Sequence, residues 1–286
     1  TLNTRASASA VREALAEEWK SKVHFLTADV TPKDRLASIR DIKADEGSCL
    51  VISTQVVEAG VDLDMTRVMR DFAPLDSLIQ IAGRCNRNSR WSRKDVEIYH
   101  LTNQQGRSFA EIVYTVGRGS PDVRLEETRR ALESQEIISE EHVLGVCNDY
   151  FSRLREGKDL GAKHTRNWAS LADEQPNIRE LLRGDNAGQV QLIVAERDEG
   201  DLTADIEAAL AIRDRWDRRR ALRKLAPRIA QVTVSVWVRK GWHPTDIANP
   251  LGHYDSDKPL EHPWWIVRPG KYHPETGLDT EGDLFL

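Results

Sequence analysis

The chain has 286 residues, enough for about two domains. Its net charge of -5, with 40% hydrophobic and 30% charged residues, is typical of globular proteins in water, and no apolar run approaches the ~18 residues that a membrane span needs. The first residues are polar rather than a secretory signal, and Cys49, Cys85 and Cys147 form no disulfide or zinc pattern, so we expect a cytoplasmic protein without a structural metal.

Strands and helices are predicted to alternate over residues 1–105. We predict helices over 7–20, from Thr31 to the residues before Gly47, and over Leu75–Arg84, and strands over Lys22–Thr27, Cys49–Ser53, Arg67–Phe72 and Val96–Leu101. Thr31 followed by Pro32 is a typical helix start, with a capping hydroxyl and proline at the first helical position. Such alternation predicts an α/β fold, a parallel sheet flanked by helices, with ligands beyond the carboxyl ends of the strands.

The alternation stops after residue 105. Helices are predicted over Leu125–Gln135, Glu140–Arg155 and Thr203–Leu225, and an edge strand over Val232–Val238. The final stretch, rich in Trp, His, Pro and Gly, predicts a loop-rich cap or a small β unit. We therefore expect an α/β lobe over 1–105, a mainly helical linker over 106–200 and a small α+β C-terminal domain over 201–286.

Two arginines near residue 85 indicate a phosphate site. On a helix, Gln80, Arg84 and Arg87 would share one face, and two guanidinium groups there need an anion. The planar fork of arginine suits phosphate oxygens, and a positioned arginine accelerates phosphoryl transfer by ~10³–10⁵. Gly83 would permit close approach. A lone pair of arginines is usually a solvated helix end, but Gln80 and Gly83 at these offsets favour a paired arginine finger.

A second polar segment follows the buried strand that ends at Ser53. Hydroxyl residues there begin a turn or short helix, whose exposed N–H groups would suit a nucleic-acid phosphate. Gly60 would allow close approach or a positive φ, and Asp62 would orient an arginine finger or a ribose hydroxyl. The alternative is a plain strand-to-helix connection with a capping Asp. Because this segment and the arginine segment occur in one lobe, we favour a phosphate-binding role over a plain connection.

The order of these segments resembles a known family. VISTQVVEAGVDLD and then RDFAPLDSLIQIAGRCNR resemble motifs five and six of superfamily 2 helicases, and more narrowly the CRISPR-associated helicase-nuclease of type I interference systems. LNTRASA resembles that family's motif four, and TADVTPKDR its next strand-to-helix segment, with Arg35 at the characteristic arginine. PNIRELLR, RKLAPRIAQVTVSV and YHPETGLD resemble its linker and C-terminal domain. The resemblance covers nearly the whole chain.

The resemblance implies a second RecA-like lobe and C-terminal domain of a protein that also has an HD nuclease and an ATP-binding lobe. Such proteins join a type I CRISPR surveillance complex and use ATP and Mg²⁺ to translocate along single-stranded DNA, which they degrade. By the same resemblance, Arg84 and Arg87 with Gln80 are catalytic, and Gly60, Asp62 and Gly83 lie with them at the nucleotide. DNA contacts are implied for four residues: Thr54, Gln55, Glu58 and Arg35.

Several parts that such chemistry needs are absent from the sequence. There is no G-x-x-x-x-G-K-[ST] loop, no Asp-Glu-x-His box and no His-Asp nuclease motif. We therefore expect residues 1–286 alone to bind ATP weakly and to be inactive. The chain opens on Thr1-Leu2-Asn3-Thr4, so we expect a piece of a longer protein. The alternatives are a non-catalytic module that binds DNA or the surveillance complex, and the lobe of another superfamily 2 helicase, which leaves 106–286 unexplained.

Two weaker signals lie near the C-terminus. A basic run with Trp216 on one predicted helix suits a single-stranded DNA channel, although interleaved Asp214 and Asp217 also fit a solvated face: Arg213, Arg215, Arg218, Arg219, Arg220, Arg223 and Lys224. Four histidines and two aspartates have no dependable ligand spacing, so loop packing beside the tryptophans is the better prediction than a metal site: His243, His253, His262, His273, Asp255 and Asp257.

Overall fold

The computed structural model describes residues 1–16, 22–45, 47–116, 120–133, 136–157, 169–170, 189–238, 242–255 and 262–279. Its contacts divide the chain into two compact units. We call the one formed by Thr1, Asn3 and Asp62–Asn186 the arginine-loop unit, and the one formed by Leu2, Thr4–Val61 and Ala187–Leu286 the terminal unit. Within the described residues, no helix is long and apolar enough to cross a membrane.

The terminal unit begins with a parallel strand pair and its helices. The elements are α1 (Arg5–Ala16), β1 (Lys22–Leu26), α2 (Pro32–Ala44) and β2 (Cys49–Ser53). Strand β1 pairs with β2 in parallel along its whole length. The side chain of Thr31 accepts a hydrogen bond from the Asp34 N–H, and Pro32 takes the first helical position. The predicted strands and the predicted helix start are confirmed.

The rest of the terminal unit is built around a mixed sheet. Its elements are β7 (Gln189–Ile193), α7 (Leu202–Ala211), α8 (Arg215–Gln231), β8 (Thr233–Trp237), β9 (Ala248–Pro250), β10 (Trp265–Val267), β11 (Tyr272–His273) and β12 (Gly277–Leu278). The strand order is β8-β7-β10-β9, with β7 parallel to β10 and the other neighbours antiparallel. The predicted edge strand is confirmed: β8 lies at the edge, and Val234 and Val236 turn one face into the core.

Trp265 occupies the centre of this sheet and is completely buried. Three rings pack edge-on against it, with centroid distances of 6.2 Å for His243, 5.3 Å for Tyr254 and 5.2 Å for His262. Loop packing of histidines beside a tryptophan is therefore confirmed for His243 and His262. Among the described residues, no group of three His, Cys, Asp or Glu side chains is arranged to hold a metal.

A buried polar cluster fastens α2 to the C-terminal part of the terminal unit. The Asp34 carboxylate accepts hydrogen bonds from the Tyr272 hydroxyl (2.6 Å), Arg197 Nη2 (2.6 Å) and Thr31 Oγ1 (2.7 Å). Asp34 itself is only 5% exposed. A buried carboxylate is tolerated only when charged and polar partners surround it, and these partners supply that compensation. We call Thr31, Asp34, Arg197 and Tyr272 the Asp34 cluster.

Gly277 packs closely against the backbone of Asp29 in the terminal unit. Its φ is +85°, and a Cβ there would lie 2.6 Å from the Asp29 carbonyl oxygen. Gly270 provides a matched control, because its φ is +80° but a Cβ there would meet open space. We expect Gly277→Ala to lower the free energy of unfolding by about 3 kcal/mol and Gly270→Ala by about 1 kcal/mol. Both alanines are strained by the positive φ, but only the one at position 277 also clashes with the Asp29 backbone. Urea unfolding measures both; equal losses would contradict the close contact.

The arginine-loop unit joins a second parallel strand pair to a helical layer. Its elements are β3 (Val68–Asp71), α3 (Leu75–Ala82), β4 (Val96–Tyr99), α4 (Phe109–Val113), β5 (Thr115–Val116), β6 (Ser120–Pro121), α5 (Val123–Leu132) and α6 (Glu140–Gly157). Strand β3 pairs with β4 in parallel. The apolar face of α3, with Leu75 and Leu78, packs in one core cluster with Tyr150 and Leu154 of α6. The helices predicted at α5 and α6 are confirmed.

A buried arginine ties β3 to the start of α3. Arg70 is completely buried and donates to Asn3 Oδ1 (2.7 Å) and to Ser77 Oγ (3.2 Å). Asn3 in turn donates to Asp71 Oδ2 (2.7 Å), and burial raises the pKa of Asp71. Because a buried guanidinium costs free energy unless its hydrogen bonds are made, this network fixes the position at which α3 leaves the strand.

The structure corrects two predictions and adds one strand. The single helix predicted over Thr203–Leu225 is wrong, because Asp214 accepts hydrogen bonds from the Trp216 and Asp217 N–H groups and so begins a new helix, α8. The predicted α/β fold is confirmed, and the parallel sheet only in part: in the described residues of 1–105 the parallel strands form two pairs. Each pair also bonds to the first residues of the chain. The Leu2 N–H donates to the Ser53 carbonyl, the Thr1 ammonium donates to the Met69 carbonyl, and the Thr1 carbonyl accepts from the Asp71 N–H. Strand β7 lies in a region that the sequence predicted as a helical linker.

Candidate functional site

The two candidate arginines lie in a loop that follows α3. The helix ends at Ala82, Gly83 is its C-cap, and Asn86 and Ser89 have positive φ values of 48° and 51°. The predicted helix is confirmed, but it ends two residues before Arg84. The predicted helical face shared by Gln80, Arg84 and Arg87 is therefore wrong. Asn86 explains the change of direction, because asparagine tolerates positive φ and its side chain bonds to the Trp91 N–H (3.1 Å) and carbonyl (3.0 Å).

Backbone hydrogen bonds join this loop to the segment that begins at Asp62. The Met65 N–H donates to the Arg84 carbonyl and the Asn86 N–H donates to the Met65 carbonyl, both at 2.8 Å. Met65 and Cys85 thus form an isolated parallel bridge. Since Arg84 lies inside this ladder, its Cα is fixed by main-chain bonds. Its side chain is half-buried.

A second aspartate, Asp64, holds the far side of the loop. Its Oδ2 accepts from Asn88 Nδ2 (2.8 Å) and from the Asn88 N–H (3.3 Å), and Arg90 Nε lies 3.8 Å away. Asp64, Asn86 and Asn88 were not among the site residues predicted from the sequence. A signal was available: Asp62 and Asp64 alternate along an extended segment, so both side chains point to the same side.

The structure brings Asp62 and Arg87 together. Arg87 Nε lies 3.5 Å from Asp62 Oδ1, and the two side chains are 40% and 67% exposed. Such an exposed pair adds little stability, about 0–1 kcal/mol. The contact places the Asp62 carboxylate at Nε rather than at the two terminal nitrogens of the guanidinium. In the described part of the chain, no other carboxylate is within ion-pair distance of Arg87.

Gln80 and Gly83 complete the predicted set on this side. Gln80 is exposed on the last turn of α3. A Cβ at Gly83 would lie 3.5 Å from the nearest described atom, the Gln80 carbonyl, which is ordinary contact. Nothing in the described chain therefore requires glycine at this position. The close approach that the sequence predicted would have to involve a partner molecule.

The predicted DNA-contact residues lie in the terminal unit, after β2. Thr54 is buried, and its N–H donates to the Leu26 carbonyl (3.1 Å), so that amide is occupied within the protein. Gln55–Val57 form a single 3₁₀ turn, and the Glu58 N–H donates to the Gln55 carbonyl. Gly60 has a φ of +76°, which confirms the predicted positive φ, and a Cβ there would meet open space. Its glycine is explained by backbone conformation.

Arg35 is placed against the loop between β1 and α2. Its Nη1 donates to the Val30 carbonyl (2.9 Å) and to the Thr27 carbonyl (3.0 Å). Burial lowers the pKa of Arg35, although no physiological pH approaches its titration. The geometry gives this arginine a loop-holding role, and its DNA contact stays a prediction.

Comparisons with known proteins identify relatives of the sequence. Residues 1–90 match the family model described as CRISPR-associated nuclease/helicase Cas3, C-terminal. A CRISPR-associated nuclease/helicase Cas3 of Haloferax volcanii is 33% identical over 180 residues, which are 57% of this chain and 19% of that protein. A Cas3 of Methanothermobacter thermautotrophicus is 33% identical over 66 residues, 23% of this chain and 8% of that protein. The chain thus matches less than a fifth of either relative's length.

Solved structures show the same fold at low sequence identity. The crystal structure of T. fusca Cas3-ADP matches 97% of this chain and 38% of its own, with a TM-score of 0.54 and 18% identity. A CRISPR RNA-guided surveillance complex, pre-nicking, contains a chain that matches 97% of this one and 40% of its own, with a TM-score of 0.53 and 17% identity. The chain therefore shares the mixed α/β fold of the matched parts of these structures.

Proposed function

We propose that the chain carries the C-terminal region of a CRISPR-associated nuclease/helicase similar to Cas3, and that it supplies one half of a composite ATPase site. In this proposal, Arg84 and Arg87 contact the γ-phosphate of an ATP–Mg²⁺ complex that an ATP-binding lobe holds. The whole protein would use the hydrolysis to translocate along single-stranded DNA, linked to a nuclease, in antiviral defence.

The observation that carries the proposal is the anchored Arg87. The Asp62 carboxylate lies at Nε, and two backbone hydrogen bonds to Met65 hold the loop. In this proposal the two terminal nitrogens of Arg87 therefore face the phosphate. Preorganised donors aimed at developing charge are the principal source of catalysis in phosphoryl transfer. A guanidinium with one side neutralised and the other exposed suits a transferred phosphoryl group better than it suits a structural ion pair.

The remaining assignments of the proposal follow the sequence motifs. Gly60, Asp62 and Gly83 would border the nucleotide, and Gln80 would lie beside it. Thr54, Gln55, Glu58 and Arg35 would contact the DNA or couple to it. Residues 1–105, 106–200 and 201–286 would act as the second motor lobe, a linker and a C-terminal domain. A type I surveillance complex would be the partner that delivers the DNA.

The ion pair gives a test that separates orientation from folding. In a protein that combines this chain with an ATP-binding lobe, we expect Asp62→Asn to lower kcat for DNA-stimulated ATP hydrolysis about tenfold with little change in KM, because the misoriented fork still meets bound ATP. Asp62→Glu should restore part of the rate. Asp149→Asn, an equally exposed charge loss on α6, serves as the control. Full activity of Asp62→Asn would contradict the orienting role.

A further inference from the structure

The outer face of α8 concentrates positive charge. The helix contains seven Lys or Arg residues and one acid, Asp217. Two rows with four-residue spacing run side by side along it, and all six side chains are exposed: Arg215, Arg219 and Arg223 in one row, and Trp216, Arg220 and Lys224 in the other. Trp216 is 67% exposed. Like charges at this spacing destabilise a helix, so a bound anion would stabilise it.

Three other arginines of the terminal unit have acidic partners: Arg5, Arg197 and Arg228. Arg228, at the other end of α8, pairs with Asp198 and Asp205, each at 2.6 Å, and Arg197 pairs with Asp34. On the outer face, the described residues offer one ion pair, Arg220 with Asp217 at 3.5 Å. The contrast separates arginines that hold the fold together from arginines that face outward as a group.

A cavity of about 560 Å³ adjoins the start of this helix. Arg218 lines it and lies one turn from Arg215, so the cavity continues the charged face. His253, His262 and Trp264 add aromatic walls, and Glu207 is the carboxylate of the lining. Arginine and aromatic rings stack on nucleobases. The base edges carry N–H groups, such as the N3–H of thymine and uracil, and a carboxylate accepts hydrogen bonds from them. These walls suit a base better than a bare phosphate.

We propose that α8 and this cavity form a binding site for single-stranded nucleic acid in the terminal unit. The backbone phosphates lie along the two basic rows, and one unstacked base enters the cavity. A duplex fits less well, because its bases are not free to leave the stack. The site uses none of the residues assigned to the composite ATPase, so oligonucleotide binding tests it separately from ATP hydrolysis.

Fluorescence anisotropy of a labelled oligonucleotide with the 286-residue chain tests the basic face. We expect Arg219→Glu with Arg223→Glu to weaken oligo-dT binding at least about tenfold and to reduce the slope of log Kd against log salt by about 1.4, since each lost single-strand contact removes about 0.7. Arg153→Glu with Arg155→Glu, on exposed positions of α6, changes the net charge equally and should bind nearly as wild type. Equal weakening by both pairs would show non-specific charge attraction and overturn the proposal.

Three further ligands test the cavity and the identity of the partner. An abasic strand of the same length should bind the wild type about tenfold more weakly than oligo-dT, because stacking is lost, and His253→Ala should narrow that difference. A comparison of the affinities for oligo-U and oligo-dT shows whether the site prefers RNA or DNA. Equal affinity of the wild type for the abasic strand and for oligo-dT would show that no base binds in the cavity. Tighter binding of poly-glutamate than of oligo-dT would identify an acidic protein surface and overturn the nucleic-acid assignment.

Discussion

Replacing Arg87 with alanine is expected to reduce DNA-stimulated ATP hydrolysis by about 10³-fold or more, and Arg84→Ala to have an effect of similar size. The physical reason is that charge spreads over the equatorial phosphoryl oxygens as the γ-phosphate is transferred, and a bidentate guanidinium stabilises that charge at the moment it develops. Arg87→Lys should restore little, because an ammonium lacks the planar fork and cannot bind Asp62 and a phosphate at the same time with fixed geometry.

The measurement is steady-state ATPase activity with saturating single-stranded DNA, in a protein that also contains the ATP-binding lobe. Arg107→Ala is the matched control, because Arg107 is exposed in the same unit and distant in sequence from the loop. Wild-type turnover in both finger variants would refute the assignment. Residues 1–286 alone provide the blank, since the sequence has no phosphate-binding loop; Mg²⁺-dependent hydrolysis by that chain would place the active site elsewhere.

The second large effect is expected at the Asp34 cluster. Asp34→Asn should lower the free energy of unfolding of the terminal unit by about 3 kcal/mol at pH 7, because the Arg197 guanidinium loses its counter-charge and a buried acceptor becomes a donor facing the Tyr272 hydroxyl. Asp41→Asn is the control: the same chemical change on the same helix, at an exposed position. Urea unfolding followed by tryptophan fluorescence compares the three proteins.

The stability difference between wild type and Asp34→Asn should depend on pH in one direction. Burial tends to raise the pKa of Asp34, but the hydrogen bonds from Arg197, Tyr272 and Thr31 outweigh it and hold the pKa below its ordinary value of 3.8. When folding lowers the pKa of a carboxyl group, that group stabilises the protein at pH values above its unfolded-state pKa. The stabilisation is lost as the pH falls through the folded-state pKa. The difference should therefore be constant near neutrality and shrink below about pH 4.

Another buried carboxyl in the same unit changes stability in the opposite sense. Burial raises the pKa of Asp29, so its contribution is present at low pH and is lost as the pH rises through the folded value. Because Asp29 is the same in both proteins, its effect cancels in the difference. If the stability difference between wild type and Asp34→Asn stayed constant down to pH 3, the charge of Asp34 would not be what stabilises the cluster.

Local chemistry made part of the fold predictable. Thr31 and Pro32 specify a helix start through a hydroxyl acceptor and a fixed φ, both of which act within three residues. The alternating valines before Trp237 likewise specify, within a few residues, a strand with one buried face. The helix end at Ala82 was less predictable, because Asn86, which redirects the chain through a positive φ, adopts other backbone conformations equally well.

The candidate site was predictable in its residues and less so in its geometry. The sequence places Asp62 and Arg87 among candidate residues, but their approach depends on the Met65 ladder and on Asp64 holding Asn88, which are tertiary bonds between segments of no distinctive pattern. Strand β7 was missed because Gln189–Ile193 is short, and its pairing partners, β8 and β10, come later in the chain. Long-range pairings of this kind leave no periodic trace in a single sequence.

The Asp34 cluster and the Gly277 contact have a consequence for how this chain can be divided. Both join residues before Val61 to residues after Ala187, so the terminal unit is assembled from the two ends of the chain. A graft that exchanged residues 1–61 between relatives would carry Asp34 into a host whose residues 197, 272 and 277 had not changed with it. The interchangeable piece is discontinuous: the first and last segments have to be transplanted together, and residues 62–186 form an insertion between them.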